Sequence, residues 1–170
     1  MEAKGRVRVM RFVLYVDQKN SDALLIHRAF ERYGFGPHLQ VVSSGPEAMA
    51  YLAGTDKYND RILFPLPSLI ILETNLVGLS AFDLVKWIRS CPPLARIPIV
   101  IFTAWELPSD LELAYSVGAN SYILKSTDAQ EFEQQVRQMI DFWLKMNVTV
   151  GKVPVGLEKL PPAPRTNGQN

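Results

Sequence analysis

The sequence predicts a doubly wound α/β fold, with five parallel strands in one sheet flanked by five helices. Short apolar runs alternate with helix-period segments from residue 11 to residue 145. The runs are rich in Val, Ile and Leu and mostly lack polar alternation, which is typical of strands buried on both faces of a parallel sheet. The five predicted strands span residues 12–16, 39–42, 69–72, 97–102 and 122–124.

The helical segments between the runs have recognisable starts and ends. Three of them begin with a serine followed three residues later by an acid, the spacing of a capping box. The pairs are Ser44 with Glu47, Ser80 with Asp83, and Ser109 with Glu112. The last segment begins near Asp128 and carries an apolar stripe that predicts a helix packed on the sheet. Gly118 predicts the end of the fourth helix, where a left-handed cap is often required.

The chain divides into three parts. We predict an N-terminal arm over residues 1–10, one α/β domain over 11–148, and a Pro-rich tail over 149–170 that we expect to be flexible. Within the domain, residues 55–67 form a longer connection, and Pro65 and Pro67 stop any helix before the third strand.

Composition limits the possible functions. Of 170 residues, 18 are Lys or Arg and 17 are Asp or Glu, so the net charge is +1 and nucleic-acid or membrane-surface binding is not expected. A single cysteine, Cys91, excludes an internal disulfide, and with only two histidines a Cys/His metal cluster is not expected. No stretch approaches the roughly 20 apolar residues of a membrane span, so we predict a cytoplasmic protein.

Polar side chains follow four of the predicted strands. They are Asp17 and Gln18, then Glu73 and Asn75, then Thr103 and Ala104, and finally Lys125. In open α/β sheets, sites form beyond the carboxyl ends of the strands. Each residue alone could be a solvated strand end, but four such ends together favour a pocket. The turn after the first strand has no glycine, so neither a P-loop nor a dinucleotide-binding loop is present.

Four stretches make the chain resemble the receiver domain of two-component response regulators. They span residues 13–18, 67–78, 97–104 and 118–125. Within that family, the chain resembles the stand-alone regulators that accompany phytochrome-type histidine kinases. The features that carry this resemblance are the segment 64–67 before the third strand, Ser126 after Lys125, and the closing Phe142-Trp143-Leu144. The resemblance implies a flavodoxin-like strand order of 2-1-3-4-5.

The resemblance also implies roles for the pocket residues. Receivers take a phosphoryl group from a kinase histidine onto an aspartate at the end of the third strand, with Mg²⁺ bound by that aspartate, an acidic pair and a backbone carbonyl. The implied positions are Asp17 and Gln18 for the acidic pair, Glu73 for the acceptor, Asn75 for the carbonyl, Thr103 and Lys125 for the phosphoryl contacts, and Tyr122 for the aromatic switch that moves with Thr103.

Two of these positions depart from the family pattern. Gln18 replaces the second acid and Glu73 replaces the acceptor aspartate. Losing one carboxylate and displacing another should weaken Mg²⁺, so we expect no cofactor, or at most weak Mg²⁺ at Asp17, Glu73 and Asn75. We predict an atypical, non-enzymatic receiver in phosphorelay signalling that acts by phosphorylation-independent protein contacts.

Alternatives follow from the same residues. Glu73 could reach Lys125 and Thr103 in place of a phosphoryl group and fix an active-like state, or it could form an inert ion pair with Lys125. The protein could instead be a conventional phospho-acceptor with an unusual site. A small Mg²⁺- or phosphate-dependent enzyme using Asp17, Glu73 and Lys125 is a third interpretation.

The expected partners are proteins. The resemblance implies a sensor histidine kinase or another signalling protein, and a homodimer formed through the fourth helix, the fifth strand and the fifth helix. Phe142 and Trp143 are the candidate residues of this dimer face.

Overall fold

The computed structural model describes residues 11–149 and shows the predicted alternation of strands and helices. The predicted arm of residues 1–10 and, except for residue 149, the predicted tail of 149–170 lie outside the described residues. The strands are β1 (Val13–Val16), β2 (Leu39–Val42), β3 (Leu69–Leu72), β4 (Ile99–Thr103) and β5 (Ser121–Leu124). The helices are α1 (Asn20–Arg32), α2 (Gly45–Ala53), α3 (Ala81–Ser90), α4 (Pro108–Ser116) and α5 (Ala129–Met139).

The five strands form one parallel sheet in the order β2-β1-β3-β4-β5, which confirms the predicted topology. The central strands β1, β3 and β4 are buried along their whole length, whereas β2 and β5 at the edges are mostly half-buried. The apolar side chains of the sheet divide between two core clusters, one on each face. This arrangement explains why the central strands lack polar alternation.

Side-chain caps confirm the predicted helix starts at Ser44 and Asp128, whereas Ser80 is the N-cap of α3 without a side-chain hydrogen bond. Ser44 Oγ accepts a hydrogen bond from Glu47 N, and the Asp128 carboxylate accepts from the backbone amides of two residues in the first turn of α5. Gly118 adopts φ +105°, as the predicted helix end requires. The prediction of a capping box at Ser109 is wrong, because α4 begins two residues earlier, with Leu107 as N-cap and Pro108 as its first residue. Proline fixes φ near the helical value and therefore starts the helix itself.

Two features of the last helix were not predicted. After Met139 the chain continues as a wider π-helix, Ile140–Met146. The guanidinium of Arg11 donates hydrogen bonds to the carbonyls of Trp143, Leu144 and Asn147 near its end. Arg11 therefore stabilises a helix terminus, where carbonyls lack partners within the helix.

Candidate functional site

The carboxyl ends of the strands bring the predicted polar residues together. Asp17 follows β1, Glu73 follows β3, Thr103 ends β4 and Lys125 follows β5. All four residues are buried, although they lie at the edge of the sheet where water is near. The prediction that this edge carries a pocket of converging polar groups therefore agrees with the observed geometry.

Lys125 is the centre of this site. Its Nζ atom lies 2.6 Å from Asp17 Oδ2, 2.7 Å from Glu73 Oε2 and 3.0 Å from Asp22 Oδ2. The Lys125 side chain is only 3% exposed. We call Asp17, Asp22, Glu73 and Lys125 the ion cluster. An ammonium group has three protons to donate, and here each has one carboxylate acceptor.

Asp22 is a member of the ion cluster that the sequence does not predict. It lies in the first turn of α1 and shares the buried face of that helix with Ile26, Ala29 and Phe30. The sequence does carry a signal for a buried Asp22. Positions 22, 26, 29 and 30 fall on one side of a helix, so the acid shares a face with three apolar residues. The exposed side chain of Lys19 also reaches Asp22, at 3.1 Å.

Both oxygens of Asp17 are engaged. The buried Tyr15 hydroxyl donates to Oδ2 at 2.6 Å, and the backbone amide of Lys19 donates to Oδ1 at 2.8 Å. Burial raises the pKa of the Tyr15 phenol, and the adjacent charge of Asp17 raises it further, so Tyr15 stays a proton donor. Tyr15 was also missed, because an aromatic residue in a buried strand looks like ordinary core.

Glu73 reaches Lys125 with one oxygen and a network of donors with the other. Its Oε1 atom accepts from Thr74 N at 2.7 Å, from Thr74 Oγ at 3.1 Å and from Asn75 N at 3.3 Å. Thr74 Oγ is in turn 2.8 Å from Thr103 Oγ. The Glu73 carboxylate is thus connected to Lys125 directly and to Thr103 through Thr74, and the Thr103 hydroxyl also helps to lower the Glu73 pKa.

The charges of the cluster stabilise one another against the cost of burial. Burial alone would raise the pKa of Glu73 and Asp22, but the charge of Lys125 and its hydrogen bonds outweigh burial and lower both. Burial alone would lower the pKa of Lys125, but Glu73 and Asp17 outweigh burial and raise it. Glu73, Asp22 and Lys125 therefore stay ionised at neutral pH. With Lys19 included, three carboxylates face two ammonium groups.

The remaining predicted pocket residues lie at the rim. Gln18, Asn75 and Ala104 are exposed. The observed contact of Asn75 is a donated backbone N–H to Glu73, whereas the predicted role used its carbonyl. Tyr122 is half-buried, and its hydroxyl donates to the Trp105 carbonyl at 2.8 Å. The Trp105 amide donates to Thr103 Oγ at 3.3 Å, so the two predicted switch residues are connected through one loop residue.

In the observed arrangement, the carboxylates of the site surround the Lys125 ammonium group. Among residues 11–149, no group of three or more His, Cys, Asp or Glu side chains is positioned to hold a metal ion. Asp17 and Glu73 each direct an oxygen to the Lys125 ammonium, so a cation bound by these carboxylates would compete with Lys125 for their oxygens. Gln18 offers a neutral amide in place of a second acid.

The predicted dimer residues differ in exposure. Phe142 is 48% exposed, whereas Trp143 is half-buried and packs against the core, with the two rings in edge contact at 4.9 Å. Three more exposed apolar residues recur every four residues from the start of α4. They are Leu107, Leu111 and Tyr115.

In the part of the chain that the structure describes, no helix has the length and apolar character to cross a membrane.

Comparison with known proteins agrees with this architecture. The chain is 30% identical over 139 residues to the Probable methanogenesis regulatory protein FilR2 of Methanothrix harundinacea, covering 82% of this chain and 87% of FilR2. It is 27% identical over 135 residues to the response regulator Rcp1 of Synechocystis, covering 79% of this chain and 90% of Rcp1.

Solved structures give the same result. The phosphorylated cyanobacterial phytochrome response regulator RcpA superposes with a TM-score of 0.78 at 28% identity, covering 84% of this chain and all of RcpA. The Mn²⁺-bound form of Rcp1 superposes with a TM-score of 0.75 at 26% identity, covering 83% of this chain and 99% of Rcp1. The response regulator receiver domain model matches residues 13–137. This chain therefore belongs to the response regulator receiver domain family of two-component signalling and is close to the phytochrome-associated regulators.

Proposed function

We propose that this receiver domain signals through protein contacts without accepting a phosphoryl group. The observation that carries the proposal is the 2.7 Å contact between Glu73 Oε2 and Lys125 Nζ, which is buried and lies at the family's acceptor position. A negative group already contacts the lysine that would otherwise bind the phosphoryl oxygens. The extra methylene of Glu73 carries this carboxylate further than that of an aspartate, so it fills part of the space of a phosphoryl group next to Lys125.

The length of the glutamate side chain opposes phosphoryl transfer. Glutamate has one more methylene than aspartate, so its carboxylate is displaced toward Lys125 from the position of an aspartate acceptor. In-line transfer requires close positioning, and a displacement of about 1 Å can cost about 10²-fold in rate. The other Glu73 oxygen accepts three hydrogen bonds from Thr74 and Asn75, which restrains the carboxylate further.

The pocket also provides its own charge balance. In the proposed function, Lys125 and Lys19 neutralise most of the charge of the three carboxylates, so these carboxylates need no divalent cation for charge balance. The similar protein Rcp1 has a solved structure with Mn²⁺ bound. For this chain we propose at most weak Mg²⁺ binding at Asp17, Glu73 and Asn75, because Gln18 supplies no charge.

We propose that the module is a binding protein rather than an enzyme, with a sensor histidine kinase or another signalling protein as partner. We further propose a homodimer that uses α4, β5 and α5. The exposed Phe142 and the exposed apolar row of α4 support this proposal, since clustered exposed apolar residues are typical of interfaces. A cytoplasmic location stays a prediction.

The proposal is tested by incubating the full chain with acetyl phosphate and Mg²⁺ and recording its intact mass. The Glu73→Asp variant and the Glu73→Asp/Gln18→Asp double variant are treated in parallel. We expect no phosphate adduct on the parent and an adduct on the double variant, because the latter restores both carboxylates of the family pattern. The double variant also shows that the reagent and buffer are competent.

An adduct on the parent would contradict the proposal and make the protein a conventional phospho-acceptor with glutamate at the acceptor position. An adduct on Glu73→Asp alone would identify residue 73 as the single change that prevents transfer. Steady consumption of acetyl phosphate by the parent, without an adduct, would instead indicate the enzymatic alternative.

A further inference from the structure

The hydroxyl of Thr74 lies between the ion cluster and the loop that follows β4. We propose that Thr74 is a positioning residue, whose hydroxyl transmits the charge of Glu73 to Thr103 and thereby holds the β4–α4 loop in place. The inference rests on the proposed function, because it requires a carboxylate held permanently at position 73. It deepens that function by naming how the pocket reaches the protein surface.

The direction of the hydrogen bonds follows from the charge of Glu73. An ionised carboxylate can only accept, so the 3.1 Å contact uses the single hydroxyl proton of Thr74. In the proposed arrangement, the 2.8 Å contact between the two threonine hydroxyls uses the proton of Thr103. Thr103 Oγ is left as an acceptor on its other side, where the Trp105 amide donates to it at 3.3 Å.

The chain of donors therefore points from the surface loop toward the pocket. It begins at the Trp105 amide, passes through Thr103 and Thr74, and ends on the Glu73 carboxylate. The carbonyl of the same Trp105 accepts from the Tyr122 hydroxyl at 2.8 Å. Hydrogen bonds aligned in one direction polarise one another, so the anion at the inner end strengthens the whole row.

The outer end of this row is a surface feature. The Trp105 side chain is 54% exposed, and Leu107 two residues later is 51% exposed, so a change in the loop backbone moves apolar groups that a partner could contact. Inside the protein, Thr103 is fully buried, so water cannot easily replace a hydrogen-bond partner that its hydroxyl loses. The position of exposed apolar groups is thus coupled to a buried charge by two hydroxyls.

The test uses the full chain with Thr74→Val and Thr74→Ser. Valine keeps the shape of threonine and removes its hydroxyl, whereas serine keeps the hydroxyl and removes only the methyl group. We expect Thr74→Val to speed hydrogen exchange of the Trp105 amide on the order of fivefold to tenfold, the factor that corresponds to one net hydrogen bond. We expect Thr74→Ser to restore the slow exchange and the parent's Trp105 amide chemical shift.

Unchanged Trp105 exchange and chemical shift in Thr74→Val would overturn the inference. A lower melting temperature in both variants with unchanged Trp105 signals would show a merely structural role and would overturn it too. The acetyl phosphate experiment on the parent separates the two proposals. A phosphate adduct there would contradict the proposed function, whereas the Thr74 variants report on the coupling alone.

Discussion

Asp22 of α1 and Lys125 after β5 form a buried ion pair of 3.0 Å between elements 103 residues apart in the chain. The pair ties the first helix to the edge strand that carries the lysine. Asp22 also gives Lys125 its third acceptor, so the ammonium needs no water. Lys125 therefore holds the carboxyl ends of β1 and β3 and the start of α1 against β5.

The first prediction concerns Lys125→Met. Methionine fills a similar volume but leaves Asp17, Asp22 and Glu73 without their shared cation, and removing one partner of a buried charge network costs about 3–5 kcal/mol. We expect a loss of that size in the free energy of unfolding, measured with urea at pH 7. The loss should shrink as the pH falls, because burial raises the pKa of Glu73 once Lys125 is removed, and the folded variant then gains stability as Glu73 is protonated.

Lys145→Met is the matched control for that variant. Lys145 Nζ lies 2.6 Å from Asp141 Oδ1, the same separation as in the pair of Lys125 with Asp17, but its side chain is 50% exposed. We expect it to cost less than about 1 kcal/mol, since water screens exposed pairs. Equal losses in the two variants would contradict the argument that burial makes the ion cluster structurally necessary.

The second prediction concerns acid unfolding and Glu47. Burial opposes ionisation of Glu47, but hydrogen bonds from the Ser43 amide, Lys57 and Tyr58 outweigh it and lower the pKa from 4.5 to about 2. A carboxyl with a depressed folded pKa stabilises the protein above its unfolded pKa, and this stabilisation is lost as the pH falls through the folded pKa. We therefore expect Glu47→Gln to be less stable than the parent above pH 4.5, with the difference vanishing near pH 2.

Denaturant unfolding between pH 2 and pH 7 measures this difference directly. Glu112→Gln, which removes an exposed carboxylate of α4, is the control and should follow the parent across the range. A constant gap between Glu47→Gln and the parent at every pH would show that the variant loses packing rather than a charged hydrogen-bond acceptor.

The sequence could predict the fold because its signals are local and periodic. Apolar runs marked the strands, and the residues after them marked one sheet edge, which is how Asp17, Glu73 and Lys125 were found together. Asp22 could not be found this way, because its role depends on how α1 packs against a lysine more than a hundred residues later. The π-helix after Met139 likewise depends on tertiary contacts, since the same residues satisfy the period of an ordinary helix.

The third prediction concerns metal affinity. The double variant Gln18→Asp/Glu73→Asp adds one carboxylate and shortens another, which restores the oxygen ligands that a small divalent cation requires. We expect it to bind Mn²⁺ at least about tenfold more tightly than the parent, as measured by calorimetry, because an added charged ligand raises the affinity of such a site. Gln134→Asp, on the exposed face of α5, should leave the affinity unchanged. Equal Mn²⁺ binding by parent and double variant would contradict the assignment of residues 18 and 73 as the positions that weaken the site.

The last prediction concerns the dimer face. Phe142 is 48% exposed in the π-helix after α5, and an aromatic ring at the centre of an interface carries a large share of its binding energy. We expect the parent to sediment as a dimer and Phe142→Asp to raise the dissociation constant more than about tenfold, because a charge would be buried against an apolar partner. Leu63→Asp is the control, since Leu63 is 70% exposed in the connection before β3 and should tolerate the charge. A dimer that survives Phe142→Asp but dissociates with Leu63→Asp would move the interface from α5 to the α2–β3 side of the domain.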